Sequence, residues 1–173
     1  MKTDASKVRS PHQIRVRSFL RQAGHETPDS PVMMENNDLR LLYARLITEE
    51  YLETMDELGM GIYARGPGQL ELHALEFVDS KLVNLPDLAK ELADLSVTTI
   101  GTMAAFGISD EAILRAVDDN NLEKFGPGGH RDPCTQKWVK PPGHPKPDIA
   151  AVLRAQGWQP TAELNGYEKS SLS

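Results

Sequence analysis

Four carboxylates in the middle of this chain have the spacing of a divalent-metal site. Glu50 and Glu53 lie three residues apart in one predicted helix, and Glu91 and Asp94 lie three apart in another. Side chains at this spacing are neighbours on a helix surface. Two such helices packed antiparallel would bring the pairs together into an all-oxygen ligand set, which suits Mg²⁺ or Mn²⁺ rather than zinc. Without a cation the four charges would repel one another strongly.

The first acid pair also has an unusual place on its helix. At about 100° per residue, Glu50 and Glu53 fall inside the apolar stripe and Glu49 lies at its edge. Burying uncompensated carboxylates is costly, so a positive partner or a cation is expected. Glu91 and Asp94 are predicted on the flank of their helix. The competing interpretation is a solvated acidic surface, because Glu-x-x-Glu pairs also arise by chance. The predicted stripes comprise Leu39, Leu42, Tyr43, Leu46 and Ile47 in the first helix and Leu88, Leu92, Leu95, Thr99 and Phe106 in the second.

Capping and stop signals predict an all-α architecture of four or five helices that positions these acids. Ser, Asn and Asp residues stand at the predicted starts, and glycines follow the predicted ends. A small hairpin is predicted from Ile62–Ala64 and Leu70–Leu72. Residues 126–147 are rich in Gly and Pro and are predicted to be irregular. The predicted helices are Pro11–Ala23, Asp38–Leu58, Pro86–Phe106, Asp110–Phe125 and Ile149–Gln156.

Composition limits the class of protein. The 173 residues are enough for one domain, predicted over 11–158 between flexible tails at 1–10 and 159–173. The chain has no long apolar run and no apolar leader, so we expect neither a membrane span nor a secretory signal. A single cysteine, Cys134, is typical of the cytoplasm.

Charge is distributed unevenly along the chain. The net charge of −6 argues against stable nucleic-acid binding. Residues 1–24 nevertheless carry six basic side chains against Asp4, and residues 35–94 carry thirteen acids against five basic side chains. The basic segment could contact phosphate or an acidic surface. The competing interpretation is a solvated helix face.

The acidic motifs and several later segments resemble a known superfamily. Ile47–Glu53 followed by Lys90–Leu95 resembles the Glu-Glu-x-x-Glu … Glu-x-x-Asp signature of the all-α nucleoside triphosphate pyrophosphohydrolases. That superfamily includes MazG, the dimeric dUTPases and phosphoribosyl-ATP pyrophosphohydrolase. The similarity covers roughly residues 14–158. It continues in Gly101-Thr102, Phe106–Ile108, Val117–Lys124, Pro147–Ile149 and Gln156–Trp158.

The resemblance implies a MazG-like helical bundle that assembles as a homodimer or homotetramer. Glu50, Glu53, Glu91 and Asp94 would hold Mg²⁺, or Mn²⁺, and Glu49 would accept a proton from the attacking water. The implied reaction hydrolyses a nucleoside triphosphate to a monophosphate and pyrophosphate, in a nucleotide-pool or house-cleaning role.

Substrate-binding residues are expected in the last third of the chain. The resemblance implies that Lys124 contacts phosphate and Asn121 the sugar or a phosphate oxygen, from one face of the fourth helix. The Gly/Pro-rich loop carries three cations that could close over a triphosphate, although a solvated loop is the competing interpretation. These are Arg131, Lys137 and Lys140. A zinc site at His130, Cys134 and His144 is disfavoured because their spacing lacks a tetrahedral set.

Two features depart from the family pattern. Asp118 stands where the related branch has His, and the connection over residues 59–85 is longer than expected. One alternative function is hydrolysis of phosphoribosyl-ATP in histidine synthesis, which ranks lower because that enzyme is usually shorter. Another is a helical interaction protein without turnover, which the presence of all four acids argues against.

Overall fold

The computed structural model describes residues 5–66 and 71–160. It is mostly helical, with two small antiparallel sheets. The predicted segments at residues 67–70, and the outer parts of both predicted tails, lie outside the described residues. The helices are α1 (Pro11–Gln22), α2 (Asn37–Glu57), α3 (Leu85–Ala105), α4 (Asp110–Leu122) and α5 (Ile149–Ala155). The strands are β1 (Met60–Ala64), β2 (Leu75–Asp79), β3 (His130–Arg131) and β4 (Trp138–Val139).

The predicted helices are confirmed to within a few residues. The side chains of Ser10, Asn36 and Asp148 accept hydrogen bonds from backbone N–H groups at the starts of α1, α2 and α5. Such bonds satisfy donors that have no partner inside the helix. Ser109 precedes α4 without a capping bond from its side chain. The helix predicted to reach Phe125 ends at Leu122 and continues as a 3-10 turn over Glu123–Phe125.

The strand predictions were less accurate. β1 includes the predicted Ile62–Ala64, but its partner is β2, since Met60 pairs with Asp79 and Ala64 with Leu75. The predicted partner segment overlaps a 3-10 turn, Leu72–Ala74. The connection between the two strands is therefore longer than predicted. Residues 126–147 are not wholly irregular, because β3 and β4 pair there.

The backbone divides into two compact units. Unit 1 combines Met1–Met33 with Met103–Ser173, and unit 2 is Met34–Thr102. No single helix in the described part of the chain is long and apolar enough to cross a membrane. Taken together, α3 and the segment Asp110–Phe125 reach the length and apolar content of a broken span, which is a statement about length and composition only.

Buried amides and a carboxylate hold the helices of unit 1 together. Gln13 of α1 donates to the Ile108 carbonyl at 2.8 Å and accepts from the Asp110 N–H at 3.2 Å. Asp110, fully buried, accepts from both the backbone and the hydroxyl of Ser10. The Gln156 amide exchanges two 2.9 Å bonds with the backbone of Ser109. These polar groups therefore meet the requirement that buried donors and acceptors be paired.

Two glycines allow close backbone approaches. Gly107 has a φ of 71°, and a Cβ there would lie 2.1 Å from the Ser30 carbonyl oxygen of unit 1. Gly59 has a φ of 74°, and a Cβ there would lie 2.2 Å from the Lys81 carbonyl oxygen of unit 2. A side chain at either position would be strained both by its backbone conformation and by contact.

Candidate metal centre and active site

The buried face of α2 presents Glu50. Tyr43 and Thr54 are buried, and Glu50 lies between them at helical spacing and is half-buried. Glu53 and Leu42 are exposed, so the buried face of α2 lies closer to Thr54 than the predicted apolar stripe does. The prediction that Glu53 falls inside the buried stripe was therefore wrong, whereas Glu49 lies in the exposed surface beside it.

The facing acids on α3 are more deeply placed than the sequence suggested. Glu91 is 9% exposed and shares a buried face of α3 with Leu88, which lies three residues before it and is equally buried. The prediction that Glu91 lies on the flank of the helix was wrong, because Glu91 is buried together with Leu88. Asp94, one turn further on, has 40% of its side chain exposed.

Glu50, Glu91 and Asp94 converge. Each offers one carboxylate oxygen, and these oxygens all lie within 4.8 Å of one another. Three of the four predicted ligands therefore come together from α2 and α3. Glu53 is not part of this group, although its charge acts on Glu50.

The cluster carries an excess of negative charge. Partial burial raises the pKa of Glu50, and the charges of Asp94, Glu53 and Glu91 raise it further. Lys90 is the opposing charge: its Nζ lies 2.9 Å from Glu91 Oε1 and 3.0 Å from Asp94 Oδ2. These hydrogen bonds, first to Glu91 and then to Asp94, raise the pKa of Lys90.

The donor set fits a divalent cation. Glu50, Glu91 and Asp94 contribute three negative charges. Lys90 contributes one positive charge, so two negative charges are left for a cation to neutralise. Carboxylate oxygens are the ligands preferred by Mg²⁺ and Mn²⁺. The Lys90 side chain is 62% exposed and belongs to a flexible residue, so it can withdraw into solvent and free oxygens of Glu91 and Asp94.

Two residues of this region were missed by sequence reasoning. Lys90 was part of the motif but had no assigned role, although its spacing of four residues before Asp94 is that of a helical ion pair. Thr54 follows Glu50 by one turn, and its buried Oγ1 has no hydrogen-bond partner among the described residues. An isolated threonine in a helix carries no signal that would have identified it.

Five predicted substrate-contacting residues belong to unit 1. Asn121 is exposed in the last turn of α4. Lys124 is half-buried in the 3-10 turn, so the two do not share one face of a continuous α-helix as predicted. Arg131 and Lys137 are exposed at the β3–β4 hairpin. Their contacts with substrate stay predictions.

Lys140 is held by a polar network in the same unit. Its Nζ donates to Asn120 Oδ1, and Asn120 Nδ2 donates to the Pro145 carbonyl at 2.9 Å. His144 Nε2 lies 2.8 Å from Glu123 Oε2. In the described residues, the only group of His, Cys, Asp and Glu with metal-ligand spacing is the acidic one, which does not include His130, Cys134 or His144.

The acidic cluster lies in a part of the chain that matches a known protein family. The model of the phosphoribosyl-ATP pyrophosphohydrolase family matches residues 16–121, more than half of the chain. The chain therefore belongs to this family, which is part of the MazG-like nucleoside triphosphate pyrophosphohydrolase superfamily. The match includes all five acids and Asn121 but ends before Lys124. No curated protein matches the chain.

Proposed function

We propose that this protein is a Mg²⁺-dependent nucleoside triphosphate pyrophosphohydrolase that releases a nucleoside monophosphate and pyrophosphate. The observation that carries the proposal is the convergence of Glu50, Glu91 and Asp94 oxygens within 4.8 Å in a chain of this family. Mn²⁺ satisfies the same oxygen ligands and is the expected substitute.

The acids divide between holding the cation and moving a proton. Glu50, Glu91 and Asp94 hold the ion, and Glu53, one turn after Glu50, is the predicted additional ligand. When bound, the cation neutralises triphosphate charge and orients the α-phosphate for in-line attack. Glu49 points about 100° away from Glu50, and this direction supports our assignment of Glu49 as acceptor of a proton from the attacking water rather than as a ligand of the ion.

Phosphoribosyl-ATP is the second candidate substrate. The matching family favours it, because that family is described as phosphoribosyl-ATP pyrophosphohydrolase. Both substrates lose pyrophosphate from an α-phosphate, so the same acidic cluster serves either reaction. The groups that select the base and the sugar distinguish them.

A pyrophosphate-release screen tests the proposal. The full chain is incubated with Mg²⁺ and a panel of canonical, deoxy and damaged triphosphates, with phosphoribosyl-ATP in parallel. Release from at least one triphosphate, faster than from phosphoribosyl-ATP, supports the proposed substrate class. Faster release from phosphoribosyl-ATP supports the second candidate. No release from any compound, with no effect of Mg²⁺ on the melting temperature, indicates an interaction protein instead.

A further inference from the structure

The basic segment at the start of the chain forms a cluster of arginines in unit 1. Arg17 and Arg21 lie one turn apart on α1, and Arg9 precedes the helix. The expectation of a solvated basic face was wrong for Arg17, which is 5% exposed. Its guanidinium donates to the carbonyls of Thr27 and Pro28 at 2.7 and 2.8 Å, so the following loop fixes it in place.

One carboxylate, that of Asp29, forms ion pairs with all three guanidinium groups. Asp29 Oδ1 lies 2.7 Å from Arg17 Nη2, 3.6 Å from Arg9 Nη2 and 4.0 Å from Arg21 Nη2. The local charge is therefore three positive against one negative, and two positive charges remain. Burial lowers the pKa of Arg17, the charges of Arg9 and Arg21 lower it further, and Asp29 acts in the opposite direction.

The same arginines line an open cavity of about 530 Å³. Its volume lies within the range of small-molecule sites. The cavity wall also includes hydroxyl and amide groups on the exposed face of α1, at Ser18 and Gln22. The Arg9 Nε–H is buried and has no hydrogen-bond partner in the described part of the chain. A donor of this kind is costly unless a ligand satisfies it.

We propose that this arginine cavity, lined by Arg9, Arg17, Arg21, Ser18, Gln22 and Asp29, binds a diphosphate group. Guanidinium groups match phosphate oxygens in geometry and charge. A diphosphate group carries more negative charge and more acceptor oxygens than a single phosphate, so it is better able to displace Asp29 and to satisfy all three guanidinium groups. The proposal does not depend on the hydrolase activity, because none of these residues belongs to the acidic cluster.

Inorganic pyrophosphate is the probe, titrated calorimetrically into protein that has been stripped of metal on a chelating resin. Removing the metal prevents binding through the acidic cluster, and a resin avoids adding a competing polyanion. We expect saturable binding, weaker binding of orthophosphate, and movement of the Arg9 Nε–H resonance in NMR spectra. An absence of binding up to about 5 mM, the weak end of specific affinities, overturns the proposal.

Matched charge variants test whether the cavity is the site. Arg21→Gln should weaken pyrophosphate binding about tenfold or more, because a charged donor is removed. Arg15→Gln removes the same charge from an exposed position of α1 outside the cavity and should change affinity less than about twofold, a screened surface effect. Equal losses in both variants would mean diffuse attraction and would overturn the proposal.

Two further variants keep the test decisive if Arg21→Gln unfolds. Asp29→Asn removes the competing carboxylate and should tighten binding several-fold. Ser18→Glu adds a negative charge on the exposed cavity wall and should abolish binding with little effect on folding, because glutamate suits a helix surface. Unchanged affinity in Ser18→Glu contradicts the proposal.

Discussion

Replacing Glu91 by glutamine separates the proposed cation-holding role of this residue from a structural one. The substitution keeps the volume of a side chain that is 12% exposed and removes its charge. Because the carboxylate oxygens lie within 4.8 Å, each pair repels by between about 1 kcal/mol in a water-like dielectric and about 3.5 kcal/mol at an effective dielectric of 20. The exposure of Asp94 places its interaction toward the lower value.

The expected stability changes follow from these energies. Loss of the Lys90 ion pair offsets part of the relieved repulsion, so metal-free Glu91→Gln should be more stable than wild type by at most about 2 kcal/mol. For a chain of this size, a stabilisation of about 2 kcal/mol raises the melting temperature by about 4–8 °C, and this is the upper limit expected for the variant. Mg²⁺ at 100 times its Kd should stabilise wild type by about 2.7 kcal/mol, and the variant by far less.

Thermal denaturation with and without Mg²⁺, beside pyrophosphate release, measures both effects. Glu57→Gln is the matched control, because Glu57 is 19% exposed and contacts a lysine at 2.9 Å, as Glu91 does, but lies outside the acidic cluster. It should keep both activity and the Mg²⁺ response. The reasoning is refuted if Glu91→Gln retains more than about a tenth of wild-type activity, or if its metal-free melting temperature falls well below that of wild type.

Three further outcomes are expected. Because the pKa of Glu50 is raised, the folded state binds a proton at this carboxyl more tightly than the unfolded chain does. In metal-free protein, the free energy of unfolding should therefore fall as the pH rises from about 4.3 through the folded-state pKa. The stability advantage of Glu50→Gln over wild type should therefore grow as the pH of metal-free melts is raised from about 4.3 to neutrality, and a constant difference contradicts the assignment. Glu49→Gln should lower kcat by about 10²–10⁴-fold while Mg²⁺ affinity by calorimetry changes little; lost Mg²⁺ binding would make Glu49 a ligand, and intact activity would make it a bystander. Light scattering should show a particle larger than the 19.1 kDa chain, because unit 2 exposes Leu52 and Leu92 at about half of their surface; a stable monomer at micromolar concentration contradicts this.

Helices were predictable because their signals are local. Asn36 and Asp148 are capping residues whose hydrogen bonds involve only the next turn. The second strand of the hairpin was misplaced because strand pairing is fixed by a partner that is distant in sequence. Nothing in Leu75–Asp79 alone indicates that it, rather than the preceding leucines, pairs with β1.

The acidic site was predictable in composition but not in detail. Spacing and helical phase identified the two helices and the oxygen ligand set, and three of the predicted ligands converge. The exposure of Glu53 and the burial of Glu91 depend on how the helices rotate against their neighbours. The arginine cavity was beyond prediction, since the loop that buries Arg17 gives no local signal of its contacts.

The most direct test of the central claim is phosphorus NMR of the products formed from a triphosphate that the screen identifies. With Mg²⁺, the wild-type protein should yield only a nucleoside monophosphate and pyrophosphate, because water attacks the α-phosphate in the proposed reaction. Metal-stripped protein and Glu91→Gln should yield neither product. Formation of orthophosphate and a nucleoside diphosphate, or full turnover without a divalent cation, would contradict the account.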